Sequence, residues 1–206
     1  MTEQQAIALV EAARNGALQL AWEAYKSESS PITLRNKLER EHPAEVCRAF
    51  LDCLTSREHF QDKFWRASDW LLTREAAEQA SHWLISRWRA QHLSGDLTEV
   101  GCGIGGDSVF LSQSTNLTCF EKEPARTLLA RSNIEQLGQG ALVECREVDL
   151  RDITGEVLFC DPARRASGRI HNPDDWQPSL SEVASCFTSG RFTRVLIKTA
   201  PGIKDE

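Results

Sequence analysis

Acidic side chains at Glu121, Asp149 and Asp161 each follow a short candidate strand, and Glu99 precedes a segment with glycine at four of six positions. A carboxylate accepts hydrogen bonds from hydroxyl and amino groups. Glycine allows a sharp turn off a strand and close approach of a ligand, because it has no Cβ. Segment 101–106 is therefore interpreted as the nucleotide-binding turn of an α/β domain.

Each carboxylate has its own predicted partner. Glu121 can accept hydrogen bonds from both ribose hydroxyls of a nucleoside, and Asp149 can contact an adenine amino group. Glu99 can reach a cationic amino acid moiety, whereas it would repel a pyrophosphate. Asp161 stands beside the switch point at which open α/β sheets hold ligands. The glycine spacing on its own also fits a dinucleotide-binding dehydrogenase, in which Asp161 and Pro162 have no role.

The elements that must position these residues alternate between strand and helix from residue 96 onward. This alternation predicts a doubly wound, mostly parallel sheet with helices on both faces. The predicted strands cover 97–100, 117–121, 142–148, 156–160 and 193–198, and the predicted helices cover 106–113, 123–137 and 178–187.

Residues 1–93 form a predicted helical domain, and residues 94–206 form a predicted ligand-binding domain. Apolar residues recur at helical spacing in the first part, which holds a single glycine. Pro31 and Pro43 stand where helices can begin. Residues 55–58 have the form of a capping box, and Thr73 is expected to cap a long helix through about His92.

Composition narrows the choice of environment and partner. The net charge of −6 gives no general attraction to nucleic acid. The first residues lack the features of a signal peptide, and no apolar run is long enough for a membrane span. Seven cysteines without a CxxC pair indicate reduced thiols rather than a metal site or a disulfide framework. We expect a cytoplasmic protein with neither metal nor membrane contact.

The strand-end pattern resembles that of class I S-adenosylmethionine-dependent methyltransferases. Residues 99–105 are similar to their first motif, and Asp161 with Pro162 is similar to the start of their fourth. The resemblance covers roughly residues 64–203. It implies an enzyme that uses S-adenosyl-L-methionine, with catalytic roles for Asp161 and Pro162. The implied cofactor contacts come from Thr73, Glu99, Gly101, Gly103, Gly105, Asp107, Glu121 and Asp149.

Parts of the sequence also resemble two narrower groups of methyltransferases, and two features depart from the family pattern. Residues 70–75 resemble the aromatic-threonine segment of trimethylguanosine synthase-like enzymes, which packs over the cofactor there, and residues 72–80, 103–107 and 161–165 resemble bacterial methyltransferases with a THUMP-like C-terminal domain. The Pro-Pro-Trp of the former is Pro162-Ala163-Arg164 here, which removes an aromatic platform. The superfamily sheet has seven strands, so we expect either a missing C-terminal segment or a partner that covers the fifth-strand edge.

The resemblance also implies a substrate, namely RNA or a nucleotide base. Asp161 and the carbonyl of Pro162 can hydrogen-bond an attacking amino group and stabilise its developing charge. Arg164 and Arg165 can bind substrate phosphate, and Trp176 can either stack on a base or close a local core. The alternative is a non-catalytic module that keeps the fold and binds RNA or protein.

Overall fold

The computed structural model describes residues 1–27, 31–163 and 175–199. The helices before the first strand are α1 (Glu3–Arg14), α2 (Ala17–Ser27), α3 (Pro31–Glu41), α4 (Ala44–His59), α5 (Arg74–Gln79) and α6 (Trp83–His92). The remaining elements are β1 (Gly95–Val100), α7 (Ser108–Leu111), β2 (Thr115–Glu121), α8 (Pro124–Leu137), β3 (Leu142–Cys145), β4 (Gly155–Cys160), α9 (Leu180–Thr188) and β5 (Phe192–Ile197).

The five strands form one sheet in the order β3-β2-β1-β4-β5, and every pair is parallel. The order reverses between β1 and β4, which places the switch point beside the glycine segment. This arrangement confirms the predicted doubly wound fold. Among the described strands β5 lies at an edge, so the proposed covering of that edge stays a prediction.

Local signals explain where several helices begin. The hydroxyl of Thr2 accepts a hydrogen bond from the N–H of Gln5, whose side chain caps the N–H of Thr2 in return. Helix α3 begins at Pro31, and α4 begins directly after Pro43, as expected. The predicted start at Thr55 is wrong: this residue lies inside α4, and its hydroxyl donates back to the carbonyl of Leu51.

The expected long helix after Thr73 is also wrong in its length. Thr73 does cap a helix, because its Oγ1 accepts a hydrogen bond from the N–H of Ala76. The helix nevertheless ends at Gln79, and a second one begins after His82, whose Nδ1 accepts from the N–H of Leu84. Ala80, between them, packs against Gly106, where an added Cβ would come within 3.1 Å. Tertiary packing therefore interrupts the helix.

One continuous apolar core joins the helical part to the sheet, and it runs from residues of α1 to residues of β4. Asn133 of α8 lies fully buried at the junction. Its side chain accepts from the N–H of Leu71 at 2.7 Å and donates to the carbonyls of Leu71 and Ile104. A single side chain thus fixes the segment before α5 against the glycine segment. The division into two domains stays a prediction.

Candidate functional site

The glycine segment leaves β1 in a conformation that side chains rarely adopt. Gly101, Gly103 and Gly105 have φ angles of 83°, 59° and 83°. A Cβ at Gly101 would lie 2.6 Å from the carbonyl oxygen of Asp161, so this glycine allows the ends of β1 and β4 to approach each other. At Gly103 an added Cβ would meet no heavy atom of the described residues within 4 Å. The loop therefore presents open backbone at Gly103.

Glu121, at the carboxyl end of β2, is buried and lies directly across from that open backbone. One carboxylate oxygen accepts from the N–H of Gly103 at 2.9 Å, and the other accepts from the N–H of Glu123 at 3.0 Å. Each carboxylate oxygen retains a second lone pair. The carboxylate is thus fixed in orientation and keeps acceptor capacity for a further hydroxyl group.

Glu99 is more buried than the sequence indicates. Its side chain lies beneath the glycine segment, where it accepts hydrogen bonds from the hydroxyl of Ser108 at 2.6 Å and from the thiol of Cys119. Burial, followed by the negative charge of Asp107, raises the pKa of Glu99 from 4.5 to about 8. A cation placed near Glu99 would oppose both effects and favour its carboxylate form.

Asp107 is also buried, and its carboxylate is held by one group from α6 and one from the connection between α5 and α6. It pairs with the guanidinium of Arg89 and accepts a hydrogen bond from the hydroxyl of Ser81 at 2.8 Å. Arg89 donates to Ser81 as well, so the three side chains form a closed network. The structure therefore gives Asp107 a clear role in anchoring the loop, and its predicted cofactor contact stays a prediction.

These groups border a cleft of about 1440 Å³ at the carboxyl edge of the sheet. Its wall includes Thr73 and part of α5, together with residues at or just beyond the carboxyl ends of the five described strands. Glu75 of α5 pairs with Arg126 of α8 at 2.9 Å across this region. Trp70, the first residue of segment 70–75, is fully buried, and its Nε1 donates to the carbonyl of Trp65. Thr73 of the same segment borders the cleft, and the expected packing of this segment over the cofactor stays a prediction.

Asp149 lies in the cleft wall, but four residues beyond the end of β3 rather than at it. It caps a short 3-10 turn over residues 150–152 and forms two-pronged hydrogen bonds with Arg151. Those hydrogen bonds lower the pKa of Asp149 to about 2. The predicted adenine contact would therefore compete with an exposed arginine for the same carboxylate.

Asp161 and Pro162 follow β4 and line the same cleft. The carboxylate of Asp161 accepts a hydrogen bond from the ammonium of Lys198 at 2.6 Å. Lys198 follows β5, and the sequence analysis did not single it out. A lone lysine carries little signal, although its place as the last residue of the predicted strand 193–198, at the ligand-binding edge, could have drawn attention to it.

The expected phosphate ligands Arg164 and Arg165 lie outside the described residues. The structure does show the flanks of their segment, where Ala163 and Gln177 exchange two backbone hydrogen bonds in an antiparallel bridge. Trp176 is buried, with 4% of its surface exposed, which favours the local-core interpretation over base stacking. Within the described parts of the chain, no cluster of side chains suits a metal ion, and no helix is long and apolar enough to span a bilayer.

Comparison with known proteins supports the class of fold. The chain is 34% identical over 143 residues to a Mycobacterium tuberculosis CDC 1551 / Oshkosh protein named as an uncharacterized S-adenosylmethionine-dependent methyltransferase; the match covers 68% of this chain and 39% of that protein. A protein of strain ATCC 25618 / H37Rv gives the same values. The chain thus spans well under half the length of these relatives. No protein-family model matches.

A solved structure from Porphyromonas gingivalis W83, provisionally described as a methyltransferase, matches with a TM-score of 0.66 at 20% identity, over 98% of this chain and 50% of that one. This likeness, with the observed strand order, establishes a class I methyltransferase-like fold. The names of the relatives agree with the expected enzyme class and cofactor. The narrower likeness to trimethylguanosine synthase-like and THUMP-like-domain enzymes stays a prediction.

Proposed function

We propose that this chain is an S-adenosylmethionine-dependent methyltransferase that acts on an amino group of RNA or of a nucleotide base. The observation that carries the proposal is the fixed carboxylate of Glu121 beside the open backbone of Gly103. This pair offers an acceptor for ribose hydroxyls and a surface that a nucleoside can approach closely. The similarity to the mycobacterial proteins supports the same activity.

The residues present suit the cofactor's chemical groups. Glu121 would hold the ribose, and Asp149 would face the adenine. Glu99 lies beneath the loop and would balance the positive charge of the amino acid part, while Thr73 borders the opposite wall. When bound, S-adenosylmethionine supplies an electrophilic methyl group on a sulfonium. Much of the remaining task for the protein is to hold the acceptor in line with that group.

We assign this task to Asp161 and the carbonyl of Pro162, which border the cleft. An amino group that attacks the methyl gains positive charge, and a carboxylate and a carbonyl can accept hydrogen bonds from it and stabilise that charge. Arg164 and Arg165 follow directly in the chain and would bind phosphate oxygens of a nucleic acid substrate. Support for RNA as the substrate comes from the resemblance of residues 70–75 to trimethylguanosine synthase-like enzymes and of residues 72–80 and 161–165 to bacterial methyltransferases with a THUMP-like domain.

The proposal is tested by comparing RNA nucleosides from cells with and without the gene, using mass spectrometry. We expect one methylated nucleoside to disappear on deletion and to return with the wild-type gene but not with Asp161→Asn. An unchanged nucleoside profile, together with no transfer of radiolabelled methyl from S-adenosylmethionine to total RNA from the deletion strain, would contradict the RNA substrate. If the gene carrying Asp161→Asn restores the methylated nucleoside to its wild-type level, that result would instead favour the non-catalytic module.

A further inference from the structure

Lys198 and Asp161 leave neighbouring strands at the same level. In the register of β4 and β5, Cys160 lies opposite Ile197, so the next residue of each strand emerges at the ligand-binding edge. The N–H of Asp161 donates to the carbonyl of Val100 at 3.0 Å, and the N–H of Lys198 donates to the carbonyl of Cys160 at 2.8 Å. Both backbones are therefore fixed by extensions of the sheet's hydrogen bonding.

The two side chains meet within the cleft wall. The Nζ of Lys198 lies 2.6 Å from Oδ2 of Asp161, and the side chains are 15% and 28% exposed. A charge-assisted hydrogen bond of this length is among the stronger kinds, and partial burial shields it from water and salt. The contact differs in this respect from the exposed ion pairs elsewhere on the surface, such as Arg14 with Glu135.

The ammonium of Lys198 makes a second contact, with the end of a helix. Lys198 Nζ lies 3.4 Å from the carbonyl oxygen of Gln79, the last residue of α5. The neighbouring Lys63 donates to the carbonyls of Ala77 and Glu78 at 2.7 and 2.9 Å. Burial, followed by the charge of Lys198, lowers the pKa of Lys63. Lys63 thus caps the end of α5, whereas Lys198 links that helix end to Asp161.

We propose that Lys198 is a positioning residue that holds the carboxylate of Asp161 in its orientation toward the methyl acceptor. The ammonium, fixed by Gln79 and by its own strand, gives Oδ2 a defined place before any acceptor arrives. Preorganised groups stabilise developing charge more effectively than groups that must first be ordered. The kinetic part of this inference rests on the proposed methyltransferase function, whereas the geometric part does not.

Lys198→Met and Lys63→Met form a matched pair for the test. Both remove a partly buried ammonium near the end of α5, but only the first removes the ammonium that donates to the carboxylate of Asp161. In crystals of Lys198→Met we expect the Asp161 carboxylate to turn from its wild-type position or to occupy several. In Lys63→Met it should keep the wild-type position. A carboxylate that stays in place in Lys198→Met would overturn the proposal.

Kinetics with radiolabelled S-adenosylmethionine and total RNA from the deletion strain provide the second readout. We expect Lys198→Met to lower kcat about 10-fold to 100-fold, with the KM for S-adenosylmethionine within about 3-fold of wild type. Lys198→Arg should recover part of the loss because it restores the charge. Unchanged kcat in a folded Lys198→Met would also overturn the proposal. Inactive wild-type protein would instead count against the proposed function, and the crystal comparison would still decide the role of Lys198.

If Lys198→Met fails to fold, Lys198→Gln replaces it in both the crystallographic and the kinetic comparison. Glutamine keeps a hydrogen-bond donor of similar reach but loses the charge. In Lys198→Gln we expect the Asp161 carboxylate to occupy its wild-type position only partly. We also expect kcat to fall less than in Lys198→Met. A fully ordered carboxylate with wild-type kcat in Lys198→Gln would contradict a role for the ammonium.

Discussion

The carboxylate of Glu121 accepts a hydrogen bond from the backbone N–H of Gly103 at 2.9 Å, so the end of β2 and the glycine loop form one unit. Its other oxygen fixes the N–H of Glu123 at the start of α8. This double contact explains how an acid and a glycine 18 residues apart in sequence come to define one side of a binding cleft. It also gives the first prediction.

Glu121→Ala should weaken binding of S-adenosylhomocysteine about 10-fold to 100-fold, because it removes the acceptor for ribose and frees the loop. Isothermal calorimetry provides the measurement. Glu123→Ala is the matched control: Glu123 also borders the cleft, but its contact with Glu121 is made by its backbone. Similar affinity losses in both variants would show that Glu121 has no special part in binding.

Gly103→Val should abolish cofactor binding. The φ of 59° is strained for a β-branched residue, and the side chain would enter the open space beside the loop. Thermal shift with S-adenosylhomocysteine should show no stabilisation of the variant. Gly140→Val, at a φ of 90° with open space around it and away from the cleft, controls for strain alone. Binding by Gly103→Val at wild-type affinity would refute the close approach.

The raised pKa of Glu99 predicts that stability falls as pH increases. A carboxyl whose pKa is about 8 when folded and 4.5 as a model group binds more protons in the folded state, so its contribution is lost between about pH 4.5 and about pH 8. Denaturation at several pH values should show this decline for wild type and a flatter profile for Glu99→Gln. Parallel profiles for the two proteins would show that Glu99 is not the group responsible.

Asp161→Ala should leave the affinity for S-adenosylhomocysteine near that of wild type and remove turnover. The reason is that Lys198 binds the carboxylate of Asp161, whereas the carboxylate proposed to hold the ribose is that of Glu121. Calorimetry and methyl transfer to total RNA check the two halves of the prediction. Full activity of this variant would show that the catalytic assignment is wrong.

Asn133→Ala should destabilise the fold by about 2 to 4 kcal/mol, since it leaves buried backbone groups of Leu71 and Ile104 without their partner. Chemical denaturation measures the change. Asn116→Ala removes an exposed side-chain hydrogen bond to Asp96 and should cost less than about 0.5 kcal/mol. Equal effects of the two substitutions would refute the role of Asn133 as the link between the helical part and the sheet.

Sequence alone predicts much of the sheet because its signals are local. The strand ends at Val100, Glu121 and Cys160 follow from short apolar runs that stop at an acid or a glycine. The third strand is shorter than expected: it ends at Cys145, and the chain then turns toward the cap at Asp149. The alternation of apolar and polar residues does not reveal where a strand stops pairing with the adjacent strand.

The features that sequence missed depend on contacts between distant residues. The break between α5 and α6 follows from the packing of Ala80 on Gly106, and the helix propensities of these residues do not predict it. The burial of Glu99 requires the hydroxyl of Ser108 as a partner. Lys198 gains its place only when β5 pairs with β4. In each case a tertiary contact overrides or completes a local preference.

The central claim, that this cleft binds an adenosyl sulfonium cofactor rather than a dinucleotide, is tested most directly by comparing S-adenosylhomocysteine with NAD as stabilising ligands. At about 100-fold over its dissociation constant, S-adenosylhomocysteine should add about 2.7 kcal/mol to the free energy of unfolding. NAD at the same concentration should add nothing measurable, and the gain should vanish in Glu121→Ala. Stabilisation by NAD with no response to S-adenosylhomocysteine would contradict the account.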